Sequence, residues 1–312
     1  MSASGVRTAL MSQARSRPGP HGSHREADGR VALFLIAPVM IGFVVFYLYP
    51  TIRGVWWSFN EYSLMGTPQF VGLDNYAAVI HDADFWRAMG RTLEYVVINI
   101  GTQTILALGL ATLMHRVTRS VVLRTMLLVP WLVPNVTTAL IWLWLLDTNL
   151  GFFNHLIKAM GFGPVGFFTN PDLGIPTMSL INSWAYVGYT ALLLYAGMLQ
   201  IPEDIYEACA IDGAGEWKMF TRVTLPLIRP ILALVLVVSL IGSFQLFDTV
   251  AVTTRGDPAG ATRVIYYYIY QQAFQFFKMG YAATMAIMLV LILGVLTFIQ
   301  IRLLRASESS LS

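Results

Sequence analysis

The sequence predicts an all-α integral membrane protein of six transmembrane helices with both termini in the cytoplasm. Three observations carry that expectation. Of the 312 residues, 56% are hydrophobic and only 12% are charged, where a soluble domain has about 25% charged. Six apolar stretches come close to the ~20 residues needed to cross a hydrocarbon core. Lysine and arginine are also unevenly placed. With the N-terminus inside, thirteen of the 20 fall in cytoplasmic segments and seven outside, as the positive-inside rule requires.

The elements follow in order. Residues 1–30 are rich in Ser, Gly, Pro and Arg and are expected to form a disordered cytoplasmic tail. They have no apolar run of the kind a cleavable signal peptide needs. The spans fall at 31–50, 93–114, 121–146, 176–199, 231–250 and 282–304. Lipid offers backbone groups no hydrogen-bond partner, so stretches this apolar must be helical. Residues 31–305 thus form one membrane domain, followed by a cytoplasmic tail at 306–312. Span three contains Pro130 and Pro134, which kink or unwind a helix and free its carbonyls. Trp56, Trp57 and Tyr266 to Tyr268 read as aromatic belts at the membrane interface. The link at 115–120 is a short turn. The largest inside segment, 200–230, joins spans four and five.

Several functions are excluded. Net charge is +3, and no dense basic stripe with interleaved aromatics appears, so nucleic acid is not a partner. Cys209 stands alone and the five histidines are scattered, so neither a disulfide nor a metal site is expected. No catalytic residue is assigned. A phosphate-cradling loop needs Gly-Lys followed by Ser or Thr, and Lys158, Lys218 and Lys278 all lack the glycine. Any ATP chemistry must therefore come from another chain.

The 200–230 segment contains EACAIDGAGEWKMFTRVTLPLIRP, residues 207–230. Pro202, Glu203 and Asp204 suit a helix N-terminus. Ile205, Ala208, Cys209 and Asp212 share one face by helical spacing. Gly213 and Gly215 break the helix or admit a close backbone approach. A second short helix starts near Glu216, with Trp217, Phe220, Thr221 and Thr224 along one side. Leu225-Pro226 ends it, and Pro230 marks the entry to span five. An amphipathic helix resting on lipid is one reading. Five acids against Lys218 and Arg222 suit an anionic leaflet poorly, and the small residues suit the close approach of another protein.

Glu207-Ala208-Cys209, Gly213 and Leu225-Pro226 resemble the EAA motif of permease subunits of binding-protein-dependent ABC importers. The longer string resembles the carbohydrate branch, the maltose, glycerol-3-phosphate and lactose permeases. Cys209 stands where that family usually has Ala, and Val223 replaces a frequent Ile. FVGLDNY at 70–76 is a second match. The resemblance covers 31–305 and implies a type I ABC importer permease fold in the bacterial cytoplasmic (inner) membrane. It implies that the 200–230 loop is a coupling helix seated in a separate ATPase. There Glu207 would be a polar anchor beside Ala208 and Asp212, Gly213 the turn, Trp217 and Phe220 apolar plugs, and Leu225-Pro226 the end. The implied partners are a second permease subunit, two ATPase copies, an extracytoplasmic solute-binding protein and membrane lipid. ATP and Mg would be bound by the ATPase, with no cofactor in this chain.

Polar residues inside spans cost free energy and often line a path. Span three carries Asn135, Thr137 and Thr138. Span four carries Asn182, Tyr186 and Tyr189 on one face, with Ser183 and Thr190. Span five carries Ser239, Ser243, Gln245, Asp248 and Thr249. Aromatic faces and amides suit a neutral sugar, by stacking and by pairing with hydroxyls. Ser and Thr commonly bond to helix backbone instead, and Asp248 is expected near the outer interface, solvated. The resemblance to the maltose-type permease carries the substrate path to Asn135, Asn182, Tyr189 and Ser243. Tyr186 stands where that relative has Gly, which alters the pocket, and Gln245 joins by periodicity. The alternative is an ion-gradient-driven secondary transporter, but no internal repeat and no deep His or Glu supports it.

Overall fold

The computed structural model describes residues 34–63, 65–116 and 120–306. The tail expected at 1–30, the first three residues of the span expected at 31–50, half of the 115–120 turn (117–119), and nearly all of the tail at 306–312 lie outside the described residues. The chain divides into two compact units, 1–54 and 55–312. The described part of the first is most of helix α1, Phe34–Ser58, a run of exposed apolar side chains with a wide π turn at Val44–Leu48.

Among its described residues, the regular structure of the second unit is helical apart from one short hairpin. Strands β1 (Asn60–Glu61) and β2 (Gln69–Phe70) pair antiparallel. Helix α2 (Asp74–His81) follows. FVGLDNY has a local structural role here: Asn75 Nδ2 donates to Ser58 O at 3.1 Å and to Asn60 O at 2.9 Å. These bonds satisfy carbonyls that a helix end and a short edge strand would leave open.

Helix α3 (Ala83–Arg116) runs 34 residues, about 50 Å at 1.5 Å per residue. It starts ten residues before the span expected at 93. The Asp82 carboxylate explains that start, because Oδ1 accepts the Asp84 N–H at 2.8 Å in the manner of an N-cap. Helices α4 (Val121–Leu132) and α5 (Asn135–Leu145) are bent 90° to each other. Pro134 forces Val133 into the extended region, φ −78° and ψ 129°, and so breaks what the apolar pattern presents as one span.

Helix α6 (Phe152–Ala159) leads to α7 (Gly174–Met198). Helix α8 (Glu203–Ile211) and the short α9 (Glu216–Met219) form the loop of interest. Leu225-Pro226 does not stop the second helix as expected. The backbone widens into a π turn at Phe220–Thr224 and stays helical through Leu225–Leu227. A π turn accommodates a residue that has no N–H to give. The break comes at Ile228 (φ −87°, ψ 3°), before α10, Arg229–Phe244. Helices α11 (Asp248–Thr253), α12 (Ile265–Tyr270) and α13 (Met279–Ala306) complete the chain.

Among the described residues, four helices are long and apolar enough to cross a membrane: α1, α3, α10 with α11, and α13. The count is five if α4 and α5 form one broken span. Helix α7 has the length, 25 residues, but carries many polar side chains. Thr177, Ser179, Ser183 and Thr190 are buried against neighbouring helices.

The second unit holds two apolar clusters. One gathers Phe85, Tyr95 and Val96 of α3, Ile175 and Ile181 of α7, and Phe244 of α10. The other gathers Ala107 and Met114 of α3, Leu194 and Met198 of α7, and Val235 of α10. Between them on the same three helices lies a polar layer, with Asn99, Gln103, Asn182, Ser183, Thr190 and Ser243. Helices α4 and α7 touch closely at Gly188, where a Cβ would stand 1.8 Å from Leu127 O. Small residues permit such crossings between membrane helices.

Candidate functional site

Two places on the second unit hold nearly all of the residues singled out by sequence. The first is a cavity of about 340 Å³ within the polar layer. Its lining includes Asn135, Asn182, Tyr186, Tyr189, Ser243 and Gln245, so the fold brings all six expected path residues together. They come from α5, α7 and the end of α10. The helix gap after Gln245 falls at this cavity. Interrupted backbone is tolerated at membrane depth where it lines a cavity.

The residues of the lining differ in what they can do. Asn135 and Gln245 are exposed, and Asn182, Tyr186 and Tyr189 are half-buried. Tyr189 stacks on Trp131 with centroids 4.8 Å apart and planes at 11°. Ser243 is buried and already engaged, accepting from Asn99 Nδ2 at 3.0 Å. Asp248 is less open to solvent than expected. It is half-buried in the same lining, and its Oδ2 accepts from Asn135 Nδ2 at 3.3 Å.

Span two supplies residues that the sequence reading passed over. Tyr95, Asn99 and Gln103 line the cavity at a spacing of four, one face of a helix. Asn99 ties three helices together. Its Oδ1 accepts from Asn182 Nδ2 at 3.0 Å and from Ser183 Oγ at 3.2 Å, while its own amide reaches Ser243. Gln103 Nε2 donates to Thr190 Oγ1 at 2.7 Å. The i, i+4, i+8 repeat of polar groups in an apolar stretch was the signal that could have found them.

The second place is the α8–α9 loop. Helix α8 ends in a Schellman turn, with Ala214 N–H on Cys209 O at 2.9 Å and Gly213 N–H on Ala210 O at 3.0 Å. That turn needs a left-handed residue, and Gly213 supplies it at φ +73°. Glu207, Ala208, Asp212 and Gly213 are exposed, and Trp217 is 77% exposed. Phe220 points the other way, half-buried against the second apolar cluster, with its ring 6.0 Å from that of Trp217. Leu225 and Pro226 are half-buried. Tyr206 and Thr224 share a hydrogen bond of 3.0 Å that closes the base of the loop. Arg116 at the end of α3 is ion-paired with Glu216.

The opposite end of the unit is tied by Asp82. Its Oδ2 accepts from Tyr268 and Tyr281, each at 2.8 Å. Burial works to raise this carboxyl, but the two hydroxyls and the N–H groups of Asp84 and Phe85 outweigh it, so it lies below the usual carboxylate range. Tyr267 and Tyr268 are buried, which corrects their reading as an interface belt. Tyr268 is held inside by Asp82, and Tyr267 packs on Phe247 and Tyr270.

Comparison with known proteins decides what this arrangement belongs to. Residues 103–309 match the family described as binding-protein-dependent transport system inner membrane component. The chain belongs to this family. It is 30% identical over 284 residues to the sulfoquinovosyl glycerol transport system permease of Agrobacterium fabrum, covering 90% of this chain and 92% of the relative. It is 31% identical over 278 residues to the trehalose/maltose permease of Thermococcus litoralis, covering 88% and 92%. It is 30% identical over 271 residues to the sn-glycerol-3-phosphate permease of Escherichia coli, covering 86% and 92%. The fold is shared with a chain of a bacterial ABC transporter that imports the acidic polysaccharide alginate. That TM-score is 0.79 at 23% identity, over 91% of this chain and 98% of the other.

The protein is therefore a multi-pass membrane permease of an ABC importer, with the fold that the resemblance implied. Membership displaces the secondary-transporter alternative. The EAA-type segment is the exposed α8–turn–α9, and the matched region contains the whole of the cavity lining except Tyr95 and Asn99.

Proposed function

We propose that this permease forms half of the path by which a carbohydrate or sugar-like solute crosses the bacterial cytoplasmic membrane. The cavity carries the reading: amides of Asn135, Asn182 and Gln245 with rings of Tyr186 and Tyr189 around about 340 Å³. Amides pair with hydroxyls, and aromatic faces stack on C–H surfaces. The relatives' names point to sugars and a glycerol phosphate.

In this reading the membrane domain spans 31–305 and crosses six times, with α7 as the polar central crossing and both termini cytoplasmic. The loop at 200–230 meets a separate ATPase, present in two copies, which binds ATP and Mg. Exposed Glu207, Ala208, Asp212, Gly213 and Trp217 form the contact, with Phe220, Leu225 and Pro226 bracing it from beneath. A second permease subunit completes the path, and an extracytoplasmic binding protein delivers the solute.

The test is vanadate-sensitive ATP hydrolysis by the assembled importer in proteoliposomes. Wild type should be stimulated by its binding protein. Glu207→Ala and Gly213→Pro should abolish that stimulation while assembly holds. Hydrolysis indifferent to both changes would remove the loop from coupling.

A further inference from the structure

Among the described residues, the cavity lining holds one charged side chain, and its sign is negative. Asp248, the first residue of α11, lies in a lining that includes no Lys, Arg or His. Asn135, the first residue of α5, approaches it across the bend created by Pro134 and holds Oδ2 at 3.3 Å. Among the described residues, Oδ1 carries no hydrogen bond. The arrangement fixes a carboxylate in place and leaves acceptor capacity toward the cavity.

We infer that Asp248 is a charge filter, admitting neutral or cationic solutes and rejecting anionic ones. This deepens the proposed function and rests on it. A carboxylate oxygen accepts hydrogen bonds from vicinal hydroxyls or from an ammonium group. An anionic solute would meet like charge at short range in a partly desolvated site, with no cation in the lining to offset it. Specificity of this kind comes from a repulsive element as much as from an attractive one. Asn135 is a positioning residue, since it acts through the carboxylate it orients. Of the relatives named above, one is named for the neutral disaccharides trehalose and maltose and two for anions, sulfoquinovosyl glycerol and glycerol-3-phosphate, so membership leaves the sign of the cargo open and the lining carries the inference.

The experiment uses the assembled importer in nanodiscs, trapped with vanadate. It measures equilibrium binding of three radiolabelled probes: maltose, its 6′-uronic acid and its 6′-amino analogue. Wild type should bind maltose and the amino analogue at least about tenfold more tightly than the uronate. Asp248→Asn should bring the uronate to within about threefold of maltose and remove the advantage of the amino analogue. Asn135→Lys should do the same with the carboxylate retained, which covers the case in which Asp248→Asn fails to assemble. An unchanged uronate-to-maltose ratio in complexes that still bind maltose would overturn the filter and leave the carbohydrate path standing. Wild type that binds none of the probes, while hydrolysis still answers the binding protein, would overturn both the filter and the carbohydrate reading. Hydrolysis that ignores the binding protein would overturn the importer reading beneath them.

Discussion

Arg116, the last residue of α3, is ion-paired with Glu216, the first residue of α9. The pair joins the exposed loop to the longest helix of the cavity. Its side chains are 28% and 69% exposed, and a pair that open to water contributes only about 0.2–1 kcal/mol.

Breaking this pair should therefore alter coupling more than stability. Glu216→Arg is expected to leave the melting temperature nearly unchanged and to lower solute transported per ATP hydrolysed severalfold. Arg116→Glu combined with Glu216→Arg should restore the ratio. Parallel uptake and hydrolysis assays in proteoliposomes check this, and a double variant no better than the single one would count against it.

Gly188 is where α7 meets α4. Its missing Cβ would overlap the carbonyl of Leu127 at 1.8 Å, and backbone cannot swing aside as a side-chain tip can. Gly188→Val should destabilise the permease by about 1–3 kcal/mol, as overpacking does. Thermal unfolding in detergent reads the loss.

Asn99→Leu keeps the size of the side chain but removes the donor to Ser243 and the acceptor for Asn182 and Ser183. Interhelical hydrogen bonds in membranes average about 0.6 kcal/mol each, so a loss of about 2 kcal/mol is expected. Asn99→Asp keeps the acceptors but buries a carboxyl at a position 1% exposed, so it should lose more at neutral pH and recover part of the loss in acid. Unfolding in a graded detergent series distinguishes the two variants.

The tie of Asp82 to Tyr268 and Tyr281 depends on pH. Its folded carboxyl lies below the ordinary value because hydrogen bonds outweigh burial. A lowered folded value stabilises at any pH above the unfolded value of about 3.9, and the gain is lost as pH falls through the folded one. Wild type should thus lose stability below about pH 4, and Asp82→Asn should flatten that slope. Melting temperatures across the acid range give the comparison.

Apolar runs made the helices legible, because lipid leaves the backbone no other choice. The loop was legible because turn chemistry is local: Gly213, read as a helix break or a close backbone approach, ends α8 at a left-handed position. The path residues of α5, α7 and α10 announced themselves as amides and phenols in apolar surroundings. What escaped depended on partners distant in sequence. Asn99 acquires its role from Asn182, Ser183 and Ser243, and Asp248 from Asn135. Tyr268 reads as an interface residue until Asp82 is seen to hold it. The π turn at Phe220–Thr224 likewise turned a proline stop into a widened helix.

The polar layer also bears on how the chain enters the bilayer. Helix α7 carries Asn182, Ser183 and Thr190, whose partners Asn99, Thr102 and Gln103 all lie on α3. Alone in hydrocarbon the hydroxyls could fall back on their own helix backbone, but the Asn182 amide would lack a partner. The ribosome makes α3 some eighty residues earlier, so the partner is waiting when α7 emerges. Helix α7 is thus the element whose polar groups lean most on a helix made before it. Residues that line the cavity, Asn99, Gln103, Asn182 and Thr190, therefore also join α7 to α3.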